Sequence, residues 1–140
     1  MNALQRPVVA WGGVILWASA IWFGSSLNIG SQSPLMKFGP DKLGHFVEFS
    51  ILAILAANAL LTRPGFSATA AGRRGAWRFA VIITAFWGVT DEIHQIFVPA
   101  RTSDPFDAVA DILGGMVGAW LLLNWIRPAD PISIEVDEEP

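Results

Sequence analysis

The chain has 140 residues, of which 53% are hydrophobic and 15% charged, with a formal net charge of −3. Soluble domains carry about 25% charged residues, so this composition, with a mean hydropathy of +0.47, excludes an ordinary soluble domain. The nine Lys and Arg are dispersed and cysteine is absent, which excludes a nucleic-acid surface, thiol chemistry and a disulfide framework.

A bilayer core takes about 20 apolar residues per helix. Four stretches qualify in chain order, residues 8–27, 43–61, 79–98 and 107–126. The first contains Ala18-Ser19-Ala20, the form of a signal-cleavage site, but Ile21, Trp22 and Phe23 carry the apolar run past it, so it reads as a retained span. Seven Trp and nine Phe with no Tyr suit rings at a lipid interface. Residues 128–140 include five acids and read as a solvated, disordered tail beyond a membrane domain at 1–127.

Loop charges give the orientation, because Lys and Arg collect on the cytoplasmic side. Arg6, Arg63, Arg73, Arg74, Arg78 and Arg127 fall on one side, and Lys37, Lys42 and Arg101 on the other. The expected fold is therefore all-α, a four-transmembrane-helix antiparallel bundle with both termini cytoplasmic. Every unusual polar residue then sits beside an outer loop.

Those residues form three groups. Asp41, His45 and Glu48, at i, i+4 and i+7, share one stripe at the start of the second span, with Lys42 beside them. The third span ends with Asp91, Glu92, His94 and Gln95. The fourth opens with Asp107 and Asp111, one turn apart, and Arg101 lies in the short loop before it. Some of these have a plain structural reading: Asp41 follows Pro40, and Asp104 before Pro105 is a helix N-cap signature. Asp91 and Glu92 do not, since a helix C-terminus disfavours anions, and neither does Glu48, two turns into a span. Seven carboxyls, Asp41, Glu48, Asp91, Glu92, Asp104, Asp107 and Asp111, face few bases. In a partly dry site they must be protonated, paired with histidine or neutralised by a cation. Such a set suits a divalent metal, and His45 and Glu48 at i, i+3 have a usable spacing, but neither metal nor cofactor follows from spacing alone. Gly114 and Gly118 have the small-xxx-small spacing of close helix packing.

The segments DKLGHFVEFSILAIL and DEIHQIFVPARTSDPFDAVADILGGMVG, with WFGSSLNI at the end of the first span, resemble the VanZ-like family of small bacterial membrane proteins over roughly residues 15 to 122. The resemblance rests on Asp-Lys-x-x-His and Asp-Glu-x-x-Gln-x-x-x-Pro-x-Arg recurring in order on consecutive spans. Asp41, Lys42, His45, Asp91, Glu92, Gln95, Pro99, Arg101 and Asp107 match its pattern. Asp111 departs from it, standing where the family usually has Asn. The resemblance implies a multi-pass protein of the bacterial cytoplasmic membrane, with a link to resistance against the glycopeptide teicoplanin.

Three functions remain open at this point. The leading one is an envelope factor that binds an amphiphile, a membrane lipid or lipid-linked envelope precursor, through Asp41, Lys42, His45, Glu48, Asp91, Glu92, Gln95, Arg101, Asp107 and Asp111. The second is an intramembrane hydrolase or transferase acting on a lipid headgroup. In it His45 is a general base oriented by Asp41, Glu48 or Asp91, Arg101 stabilises anionic charge, and Asp91 and Glu92 complete the catalytic set. The third is a structural or assembly role, with intramembrane charges pairing to pin the helices. Oligomeric state is not legible.

Overall fold

The computed structural model describes residues 5–27, 40–67, 69–99, 101 and 103–125. Among them all regular structure is helical: α1 (Gln5–Ser26), α2 (Pro40–Leu61), the single turn α3 (Pro64–Ser67), α4 (Ala70–Gln95) and α5 (Pro105–Trp125). The acidic tail at 128–140, and Lys37 and Arg127 of the charge count, lie outside the described residues.

Local chemistry sets the helix starts. Pro40 stands at the first position of α2, where its missing N–H costs nothing, and Asp41 puts a negative charge in the first turn. The Thr69 hydroxyl accepts from Gly72 N at 2.9 Å and caps α4. Helix α4 thus begins nine residues before the expected apolar stretch at 79. Its first turns carry Arg73, Arg74 and Arg78, which hold a helix without raising hydropathy. The Arg73 guanidinium donates to Leu123 O near the end of α5.

Among the described residues, three helical segments are long and apolar enough to cross a membrane, Arg6–Ser26, Asp41–Leu61 and Pro105–Trp125. Many large apolar side chains on the helices point outward, among them Leu16, Phe86 and Trp125, the arrangement of a surface facing lipid rather than water. Helix α4 is two-faced. Ala76, Ala80, Thr84, Gly88, Asp91, Glu92 and Gln95 are buried, while Phe79, Ile82, Phe86, Val89 and Ile93 form an exposed stripe at alternating spacings of three and four. Thr84, Asp91, Glu92 and Gln95 turn toward protein and the large apolar side chains away, while Arg74 and Arg78 near the start of the helix are exposed.

Helix α2 is the centre of the packing and touches α1, α4 and α5. It buries Phe49, Leu52, Ala53, Ala56 and Ala57 among Ala76, Ala80 and Ala119 of its neighbours. The approach to α5 is backbone to backbone. A Cβ on Gly114 would meet Phe46 O, and one on Gly118 would meet Ser50 O and Cα. Glycine is required at both for this crossing. The Ser50 hydroxyl lies 2.7 Å from Phe46 O and 3.0 Å from Gly114 O, a side-chain link across the same seam. Helix α1 is joined by Trp17, whose Nε1 donates to Glu48 O at 2.9 Å.

Candidate functional site

The end of α1, the start of α2, the end of α4 and the start of α5 come together, and the polar residues are concentrated there. Lys42 on α2 anchors the junction. Its Nζ donates to Asp104 Oδ2 at 2.7 Å and to Asp107 Oδ1 at 2.6 Å. Asp104 also caps α5 by accepting Phe106 N at 2.9 Å on Oδ1. The N-cap signature before Pro105 is therefore real, and the same carboxylate has a second task 62 residues away in sequence.

His45, one turn further along α2, is 7% exposed. Its Nδ1 lies 3.0 Å from Asp111 Oδ1, and its Nε2 lies 4.0 Å from Asp107 Oδ2. Asp111 is fully buried and fits because residue 88 of α4 is glycine: a Cβ there would stand 2.7 Å from Asp111 Oδ2. The Asp111 Oδ2 atom has no hydrogen-bond partner among the described residues.

Glu92, 6% exposed, fixes the loop that follows α4. Its Oε2 accepts from Ser103 Oγ and Asp104 N, both at 2.8 Å. Its Oε1 is buried without a partner among the described residues. Asp91 is a helix position away and faces a different neighbour, accepting Ser25 Oγ of α1 at 2.5 Å and Gln95 Nε2 at 3.0 Å. Thus Glu92 holds the start of α5 and Asp91 holds the end of α1.

Arg101 is half-buried in the loop. Its backbone N–H donates to Val98 O, and its buried Nε meets no hydrogen-bond partner among the described residues. No carboxylate among those residues forms an ion pair with it. Asp41 is half-buried in the first turn of α2. Glu48 is exposed, although it remains within electrostatic range of His45, Asp91, Asp111 and Arg101. The stripe of Asp41, His45 and Glu48 therefore divides, with only His45 turned fully inward.

Sequence reasoning missed part of this junction. Ser25 and Ser26 carried no distinctive setting, yet Ser25 is a ligand of buried Asp91. Ser26 Oγ lies 2.8 Å from His94 Nε2, and the His94 ring stacks on Trp22 at 3.9 Å. The Ser26 hydroxyl also reaches Trp22 O at 2.7 Å, an acceptor for its proton within its own helix. Ser103 gave no signal beyond its place next to the cap.

Outward apolar faces, inward polar ones and a polar junction at one end define a helical membrane protein with a buried ionisable site. The VanZ/LLP1 family model matches residues 10–127, and the chain belongs to that family. No curated protein and no solved structure gives a significant match.

Proposed function

We propose that this is an envelope factor of the bacterial cytoplasmic membrane, with four spans, that holds an anionic amphiphile at its outer face. Arg101 carries the reading. Lys42 is already committed to Asp104 and Asp107, while Arg101 is half-buried and has no acid paired with it among the described residues. A planar fork of donors in that state suits a phosphate or carboxylate headgroup, which it can hold bidentately. A lipid-linked wall precursor and a lipidated glycopeptide antibiotic both offer such a group, and the latter fits the teicoplanin link that the family resemblance implies.

The two-faced character of α4 supports a fourth span, because intramembrane polar residues turn toward protein and leave an apolar face to lipid. The distribution of Arg and Lys supports cytoplasmic termini and an outward Arg101. A reporter fused after Pro140, active only when exported, should stay silent, and the same reporter inserted in the loop at Arg101 should be active. The reverse pattern would place the site on the inner face and remove the outer-leaflet ligand.

The paired His45 and Asp111 favour one second reading, a hydrolase or transferase acting on a lipid headgroup, with His45 as general base and Asp111 fixing its ring. A lipidomic comparison of cells with and without the protein separates the two. Binding leaves headgroup chemistry unchanged and shifts only the amount of lipid retained with the protein. Catalysis makes one lipid species accumulate when the protein is deleted and its product disappear.

A further inference from the structure

We infer that His45, Glu92 and Asp107 form a binding site for one divalent first-row transition-metal ion of the zinc or manganese kind. The inference goes beyond the headgroup reading and does not depend on it. The three residues come from α2, α4 and α5, are 7%, 6% and 3% exposed, and offer donor atoms that all lie within 4.8 Å of one another. A tetrahedral ion with bonds of about 2.1 Å holds its donors about 3.4 Å apart, so the donor atoms need to draw together by at most about 1.4 Å.

What each residue does with its other polar atom points the same way. His45 uses Nδ1 toward Asp111 Oδ1 at 3.0 Å, which leaves the Nε2 lone pair for a metal. Glu92 uses Oε2 for Ser103 Oγ and Asp104 N, while Oε1 is buried with no partner among the described residues. Asp107 uses Oδ1 for Lys42 Nζ, and its Oδ2 lies 4.0 Å from His45 Nε2. In all three, one atom is anchored by an outer partner and the other is left for the centre. An imidazole tied through its far nitrogen to a carboxylate is the usual way a histidine ligand is oriented and made more basic.

Charge gives an independent reason. Asp91, Glu92, Asp107 and Asp111 are all buried, and among the described residues only Lys42 and the imidazole of His45 pair with any of them. Adding a dication to this end supplies what the side chains lack. One imidazole with two carboxylates favours a borderline ion. Magnesium and calcium prefer all-oxygen shells, and copper(I) prefers sulfur. Three protein ligands also leave a coordination position for water or for an oxygen of a headgroup.

The rival is a proton, with His45 as an imidazolium between Asp107 and Asp111. Protein purified in detergent, stripped with chelator and dialysed, is titrated with Zn2+ and with Co2+ in the absence of added lipid. The expected result is one ion per chain, with imidazole in the first shell by X-ray absorption and a rise in Tm that follows metal concentration. Glu92→Gln and Asp107→Asn should each weaken binding at least 100-fold. Asp111→Asn should weaken it ten- to 100-fold. His94→Gln, a histidine at the same end, should leave it unchanged, as should Arg101→Gln. Where a ligand variant fails to fold, the wild-type stoichiometry and absorption spectrum decide alone. A stripped wild-type protein that takes up no stoichiometric ion, an ion bound without imidazole, or an affinity indifferent to Glu92 and Asp107 would overturn the site. Metal uptake that survives Arg101→Gln while headgroup binding fails would show the two proposals to be separate.

Discussion

Gly118→Val is expected to separate α2 from α5 and to lower stability by about 3 kcal/mol, the upper part of the range for overpacking. A side chain at 118 would run into the backbone of Ser50, with its Cβ only 2.8 Å from the Ser50 carbonyl carbon and Cα. Backbone cannot rotate aside as a flexible side chain does, so the helices must part. Parting also breaks the link from Ser50 Oγ to Gly114 O and pulls His45, the neighbour of Phe46 in sequence, away from Asp111. Gly12→Ala is the matched control. A Cβ at Gly12 meets nothing within 4 Å, and alanine there should be neutral or stabilise the helix by up to about 1 kcal/mol. Thermal unfolding in detergent measures both. A neutral Gly118→Val would mean that α2 and α5 do not meet along this seam.

Lys42→Met is expected to cost about 2–3 kcal/mol, because it leaves a buried carboxylate without its cation. Asp107 is 3% exposed and its Oδ1 depends on Lys42 Nζ at 2.6 Å, while Asp104 loses the same partner at 2.7 Å. Methionine keeps the length of the stem, so the loss isolates the charge. Adding Asp107→Asn removes the unpaired carboxylate and should recover roughly half of the deficit, a coupling that a double-mutant cycle reads directly. A loss below about 1 kcal/mol with no coupling would class the bridge with solvated surface pairs.

The helices were legible where apolar runs and helices coincide. Residues 8–27, 43–61 and 107–126 were expected, and α1, α2 and α5 run Gln5–Ser26, Pro40–Leu61 and Pro105–Trp125. The third stretch, 79–98, was offset at both ends from Ala70–Gln95. Its start was hidden because a capped, arginine-rich turn is helical without being apolar. Its end was overrun because Ile96 and Phe97 continue the apolar pattern after the helix has stopped, and both are exposed. At the site, periodicity placed Asp41, His45 and Glu48 on one stripe. It did not say which would turn inward, since an interior this narrow admits less than the full arc of such a stripe. The pairings of Lys42 with Asp104, His45 with Asp111 and Ser25 with Asp91 span more than 60 residues each. They depend on how helices cross, which one helix's spacing does not contain.

In the proposed function the polar junction serves a ligand and does more than pin helices together. Arg101→Lys tests it most directly, because lysine keeps the charge and removes the bidentate fork. The measurement is the amount of anionic amphiphile that copurifies per protein, taken alongside Tm for wild type and variant. Retention is expected to fall at least tenfold while Tm stays within a degree or two, since Arg101 makes no ion pair among the described residues whose loss could loosen the fold. Retention and Tm that decline together, or retention that does not change, would contradict it and leave the junction as a clamp between helices.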